Sequence, residues 1–250
     1  MKRIALMLMA VCCLGTMAAD NADLKRAAEL YAAQAYDEAA QIYAQTIDEG
    51  AVAPELYYNY ANACYKSHKI GLAVLNYERA LALRPDYEDA RFNLDFVNQQ
   101  ITDKIEPIQP FFLAAWIAAL GRIMSANAWA VTGIVLFCSA LILALIYVFG
   151  KRRWLRKTAF FCALFAFLCS CCATAYSFAA KHRLEERSAA IVMVGATTVK
   201  SAPDDSGTEL FVLHEGTKVI IKSTFADSWV EIRIADGHVG WLKASDIERI

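Results

Sequence analysis

Four kinds of hydrophobic patterning succeed one another along the chain. A short apolar run, Ile4 to about Met17, follows Lys2 and Arg3 and gives way to Ala18, Ala19 and Asp20. From residue 20 to about 105, apolar side chains recur every three or four positions among charged ones, the period of amphipathic helices. Between Phe111 and Ala180 the chain is almost continuously apolar, broken chiefly by a basic cluster at 151–157. After residue 188 the period drops to two, and short alternating runs between turn residues predict strands. The predicted fold class is multidomain: an all-α domain, a two-helix transmembrane hairpin and a C-terminal all-β domain.

The helical stretch repeats itself at an offset of 34 residues. Ala27 matches Ala61, Tyr31 matches Tyr65, Ala39 matches Ala73 and Tyr43 matches Tyr77. Alanines at 27, 39, 61, 73 and 80 let paired helices approach closely, and the tyrosines fill the gap between them. Pro85 stops the second helix of its pair, since proline cannot continue the hydrogen-bond ladder; Ala51 stands at the matching place in the first unit. A further helix, Glu88 to about Thr102, caps the stack, so the repeat domain covers 20–105.

Pro107 and Pro110 end the helical region. Phe111–Met124 is too short to cross ~30 Å of hydrocarbon. It reads as an interfacial helix within a linker at 106–127, with Trp116 at headgroup level. Residues 128–149 and 158–180 are uncharged and each long enough to span. Lys151, Arg152, Arg153, Arg156 and Lys157 mark the connection at 150–157 as cytoplasmic, against Arg122, Lys181 and Arg183 on the outer flanks. A lipid or nucleotide site is the other reading of that cluster. The basic start, apolar core and small residues of 1–19 form a secretory signal, with cleavage expected before Ala19. Both arguments put the two polar regions outside the cytoplasm.

Composition sharpens this picture. A net charge of −1 conceals a segregation: residues 20–110 carry 15 acidic and 8 basic side chains, and 188–250 carry 9 and 6. No segment has the basic face that nucleic-acid binding requires. Of the eight cysteines only Cys64 falls in a polar region, so no disulfide framework is available there. Cys171-Cys172 reads as oily helix residues or as a redox or acylation site. Neither span contains a charge, which gives ion or proton transport no support. The histidines 68, 182, 214 and 238 lack metal-ligand spacing. Cys64 and His68 stand at helical i, i+4 spacing, but no orienting residue or oxyanion donors accompany them. No catalytic residue, metal ligand or cofactor site is assigned, and an enzyme is not expected.

The β region, 189–250, follows a charged linker at 181–188. Its strands are Ile191–Val194, Thr198–Lys200, Glu209–Leu213, Lys218–Ile221, Trp229–Arg233 and Val239–Leu242. Asp236-Gly237 is a hairpin turn signal, and the strand number predicts a small barrel.

Tyr36–Ala40, which begins one unit, and the matched pairs Ala39/Ala73, Tyr43/Tyr77, Tyr31/Tyr65 and Ala27/Ala61 resemble tetratricopeptide repeats. In that family the first helix of each pair builds a concave face, which implies a partner-binding groove here of Tyr31, Tyr58, Asn62, Tyr65, Lys66, Phe92 and Phe96. Glu215–Val219, Trp229–Arg233 and Asp236–Leu242 resemble a bacterial SH3 domain, whose relatives often bind cell-wall peptides or proteins. The resemblance implies an SH3-like barrel with Trp229 and Trp241 as aromatic anchors; at least one of the two is also expected to be structural. The order of segments over the whole chain, with the stretches Glu55–Asn62, Leu75–Leu81 and Glu209–Val219, resembles the BatE family of the Bacteroides aerotolerance operon. That resemblance implies a non-enzymatic bacterial inner-membrane component with periplasmic domains. Its implied partners are von Willebrand A-domain membrane proteins and, indirectly, a MoxR-type ATPase, with a link to oxygen tolerance or envelope stress. The alternative is an envelope sensor that binds peptidoglycan.

Overall fold

The computed structural model describes residues 22–106, 108, 111–121, 123–186 and 188–250. The expected leader at 1–19, Pro107, Pro110 and Arg122 lie outside the described residues, as does the side chain of Arg183. The chain divides into two compact units. One comprises residues 22–81, 87–108 and 188–250; the other comprises 82–86 and 111–186.

In the first unit, α1 (22–32), α2 (Tyr36–Asp48), α3 (Pro54–Lys66), α4 (Ile70–Leu83) and α5 (Glu88–Asn98) follow one another through short turns. Pro54 opens α3, where its fixed φ suits the first helical position and its missing N–H is no loss. The 34-residue repeat is written into the backbone. The N–H groups of Ala33, Gln34 and Ala35 donate to the carbonyls of Glu29, Tyr31 and Leu30. Shifted by 34 residues, Ser67, His68 and Lys69 donate to Ala63, Tyr65 and Cys64. Gln34 (φ 64°) and His68 (φ 60°) are both left-handed. The repeat alanines 27, 39, 61, 73 and 80 are fully buried, as the sequence pattern requires.

One helix departs from the amphipathic pattern. Residues 73–77 of α4 are all buried, more than one helical face can supply. The second covering layer is the sheet: Ile191, Met193 and Ile250 pack into the same core as Val74 and Leu75. These sheet residues thus complete the repeat core, while the sheet keeps a second core of its own around Val192, Val199, Val219, Ile232 and Leu242. Helix α5 ends at Asn98 rather than Thr102, and the chain continues as a strap, seen at 101–106 and 108, across the sheet.

The sheet has seven antiparallel strands: β1 (Ala189–Val192), β2 (Ala196–Lys200), β3 (Glu209–His214), β4 (Lys218–Phe225), β5 (Trp229–Arg233), β6 (Val239–Lys243) and β7 (Ile247–Arg249). All six expected strands are present. The seventh, three residues long, is too short to show an alternation. The order β3-β2-β6-β5-β4-β1-β7 leaves β3 and β7 as edges, so the expected closed barrel is not formed. The strap covers part of the β3 edge. The His214 N–H at the end of β3 is taken by the Asp103 carboxylate at 2.7 Å, and Ile105 packs against the sheet core. A turn signal held: Gly237 sits at φ 93°, where a side chain would be strained.

The second unit is helical: α6 (Phe112–Gly121), α7 (Ala126–Phe149) and α8 (Arg153–Glu186). The Ser125 hydroxyl caps α7 by accepting from the Ala128 N–H at 3.3 Å. Helices α7 and α8 are long and apolar enough to cross a membrane. They pack through small residues, Gly133 and Ala140 against the α8 seam of Ala159, Ala166, Ser170 and Ala173. Ser170 Oγ donates to the Gly133 carbonyl at 2.8 Å, and Ser177 Oγ to that of Ala126 at 2.9 Å. The connection is shorter than expected: α8 begins at Arg153, so three of the five basic residues stand on its first turns.

Candidate functional site

Helices α1, α3 and α5 carry the predicted groove residues. Asn62 Oδ1, on α3, accepts from the Tyr77 hydroxyl at 2.5 Å and from Asn93 Nδ2, on α5, at 2.9 Å. Asn93 Nδ2 also lies 3.3 Å from the Tyr58 hydroxyl. The Tyr58 ring meets those of Tyr77 and Tyr87 at 6.1 and 5.0 Å. One turn further along α3, the Tyr65 hydroxyl accepts from Gln100 Nε2 at 2.9 Å, and its ring meets Phe96 edge-on at 6.0 Å. Tyr31, on α1, meets Tyr36 at 5.2 Å. Burial, then the nearby Tyr36 and Tyr58, push its phenol pKa up.

The structure therefore links Tyr58 to Asn62 through Asn93 and Tyr77, sets Tyr65 against Phe96, and leaves Tyr31 within electrostatic reach of Tyr58. Lys66 is exposed at the end of α3, and Phe92 is 73% exposed on α5. Sequence reasoning missed Asn93. Its signal was available: it is a polar residue in phase with the core positions Ala90, Leu94 and Val97. The assembled groups are aromatic faces, hydroxyls and amides, a set suited to holding a polypeptide.

The Cys64–His68 pair does not form. His68 lies in the turn past the end of α3, left-handed and exposed, while Cys64 is fully buried in the helical core. Burial drives the Cys64 thiol up to about 11, only partly offset by a hydrogen bond with Tyr60. At neutral pH the group is a thiol, not a thiolate nucleophile. Among the described residues no cluster of three His, Cys, Asp or Glu could hold a metal ion.

A second constellation clasps the strap to the β3–β4 turn. Asp103 receives the His214 N–H (2.7 Å), the His214 ring Nδ1 (2.7 Å) and the Thr217 hydroxyl (2.6 Å). Burial acts to raise its pKa, but the hydrogen bonds from Thr217 and His214 outweigh it and hold the carboxyl below the usual range. Next door, the Glu215 carboxylate accepts the Gly71 N–H in the first turn of α4 at 2.7 Å. Gly216 (φ 88°) lies so close to Ile101 that a Cβ would come within 2.8 Å of it. Arg79 donates to Glu248 and to the Arg249 carbonyl, both at 2.8 Å, and Lys218 pairs with Glu78 at 2.7 Å. A groove of about 730 Å³ opens between the strap, β3 and the β5–β6 hairpin.

The tryptophans sit on the outward face of the sheet. Strand alternation buries Val230, Ile232 and Leu242, which turns Trp229 and Trp241 to the other side. Both are half-buried, so neither is a core residue. Trp241 meets Phe225 edge-on at 6.4 Å, and Lys243 Nζ stands 5.7 Å over the Trp229 ring. In the basic cluster, Arg156 donates to the Tyr147 carbonyl at 3.0 Å and covers that ring at 5.2 Å; Lys151, Arg152, Arg153 and Lys157 are exposed. Comparison with protein-family models, curated proteins and solved structures gave no match.

Proposed function

We propose that this chain is a non-catalytic, membrane-anchored scaffold whose tetratricopeptide-type groove and SH3-like sheet bind partner proteins. In this reading it works as a BatE-type component of the inner membrane in an aerotolerance or envelope-stress assembly. Its partners are von Willebrand A-domain membrane proteins and, through them, a MoxR-type ATPase. The observation that carries the reading is the α1–α3–α5 face. Phe92 and Phe96 stand 73% and 48% exposed there, beside an ordered row of hydroxyls and amides.

The repeats and the sheet belong to one compact unit interrupted by α7 and α8. A bilayer crossed by both helices leaves the repeats and the sheet on one side. The five basic residues at 151–157 favour the cytoplasm for the short connection and the periplasm for the body. A photoreactive residue in place of Tyr65 or Lys66 is expected to capture a membrane protein in intact cells, and one in place of Gln41 on α2 is not. Failure to capture, or equal capture from both helices, sinks the reading.

The exposed Phe225 and the half-buried Trp229 and Trp241, on the outward face of the sheet, favour a second reading, a peptidoglycan-binding sensor. In it the purified full chain pellets with cell-wall sacculi and Trp241→Ala does not; no pelleting by the parent chain removes it.

A further inference from the structure

Helix α6 turns its bulk outward. At 3.6 residues per turn, Phe112, Leu113, Trp116, Ile117 and Leu120 fall within an arc of about 140°. They are 66, 52, 72, 51 and 49% exposed. The ten residues Phe112–Gly121 include no polar side chain. A helix that lies on a membrane surface needs a polar face for water, and α6 has none.

The end of α6 supplies a second, independent observation. The last carbonyls of any helix lack partners within it. In α6 the last carbonyl, that of Gly121, accepts from the Trp129 indole of α7 at 3.3 Å; the Ile117 carbonyl, one turn earlier, also accepts from the Tyr176 hydroxyl of α8 at 3.2 Å. The Trp129 and Tyr176 rings stack at 5.1 Å, 26° from parallel. Gly121 fits against Tyr176 so closely that a Cβ would meet the ring at 3.2 Å. Backbone groups satisfied by side chains are what hydrocarbon demands, because no water is there to bond them.

We propose that α6 is immersed in the acyl layer of the leaflet that holds the start of α7, as a ledge clamped by Trp129 and Tyr176. Its bulky face contacts lipid chains. Helices α7 and α8 likewise expose apolar side chains, among them Val131, Ile134 and Phe178. Trp116 then lies among acyl chains rather than at headgroup level. The proposal rests on α7 and α8 crossing the bilayer.

The test uses the full chain without native cysteines, in nanodiscs of phosphatidylethanolamine and phosphatidylglycerol. Nitroxide labels are placed singly at Leu113→Cys, Ile117→Cys and Leu120→Cys, with Leu141→Cys on α7 and Gln41→Cys on α2 as references. Accessibility to oxygen and to a water-soluble nickel chelate is read by paramagnetic resonance. The three α6 labels are expected to match Leu141→Cys, open to oxygen and shielded from nickel. Nickel access equal to that at Gln41→Cys overturns the proposal, and so does shielding from both reagents, which would mean a protein cover. If Leu141→Cys is itself open to nickel, the spanning reading fails first. Tyr176→Phe keeps the ring stack and removes the hydroxyl. It is expected to raise nickel access at residue 117 severalfold, whereas Tyr147→Phe on α7 leaves it unchanged; no difference between the two overturns the clamp.

Discussion

Replacing Asp103 with alanine should loosen the strap from the β3–β4 turn while leaving the repeat core intact. The carboxylate holds three donors at 2.6–2.7 Å, and its own side chain is only 12% exposed. Hydrogen bonds to a charged group contribute about 1.5–3 kcal/mol each when broken one at a time, and they do not add. The His214 ring is 36% exposed and can turn to water, but Thr217 is 3% exposed and its hydroxyl is left without an acceptor. A local loss of about 3 kcal/mol follows, which corresponds to roughly a hundredfold loss of protection at 1.36 kcal/mol per decade. Amide hydrogen exchange on the full chain in nanodiscs measures this for peptides covering 101–106 and 214–218. Because the folded pKa lies below the ordinary value of 3.8, the contribution is present above that value. It disappears as pH falls through the folded pKa. The parent chain should lose strap protection on acidification below about pH 4, and Asp103→Asn should lack that step. A change under threefold at the strap, or one spread equally over α2 and α3, refutes the reasoning.

Glu215→Ala removes an acceptor from the first turn of α4 and should lower protection there by about 1 kcal/mol, with Glu215→Gln in between; both are read in the same exchange experiment. Phe92→Ala should change stability by less than about 0.5 kcal/mol, since the ring is mostly in solvent. Combined with Phe96→Ala it should nevertheless weaken partner capture by roughly thirtyfold or more in a pull-down titration, the loss of an aromatic hot spot. Cys64 should resist iodoacetamide at pH 8 in the folded chain and react after denaturation, because its thiol sits at about 11 and is buried; mass spectrometry reads the adduct. Ala226 occupies a left-handed position (φ 49°) that costs an L-residue about 1–2 kcal/mol, so Ala226→Asn should raise the thermal midpoint of the sheet.

Local regularities were legible in the sequence, and long-range partnerships were not. Ala27 and Ala61, or Tyr43 and Tyr77, announce the repeat because the same packing problem recurs at a fixed offset. Trp229–Arg233 announces a strand because every second residue must face the core. The fusion of repeats and sheet left no such trace, because it depends on single contacts between distant residues. Glu215 meets Gly71 across 144 positions, and Arg79 meets Glu248 across 169. The one available hint was α4, where Ile70 to Leu75 carries no charge and so lacks a solvent face. The open sheet was illegible for the same reason. Asp103 reads as an ordinary surface acid until the fold delivers His214 and Thr217 to it. In the groove, the tyrosines followed from periodicity, whereas Asn93 became meaningful only once Asn62 and Tyr58 stood opposite.

The same long-range contacts assign a structural task to the hairpin beyond anchoring. Sheet and repeats can complete their shared core only after β7 has been made and delivered to the side where α4 waits with Val74 and Leu75 uncovered. A flexible chain over 109–187 would oppose that closure entropically. The hairpin removes much of the opposition, because α7 and α8 pack antiparallel and the Ser177 hydroxyl bonds the Ala126 carbonyl at 2.9 Å. Pairing α7 with α8 brings Ala126 and Ser177 together across 51 positions, which shortens the loop that docking must close. Each halving of a flexible loop favours closure by about 0.6 kcal/mol. The seam residues Gly133 and Ser170 thereby favour the docking of sheet on repeats. Widening that seam with a larger side chain lengthens the effective loop and weakens this contribution.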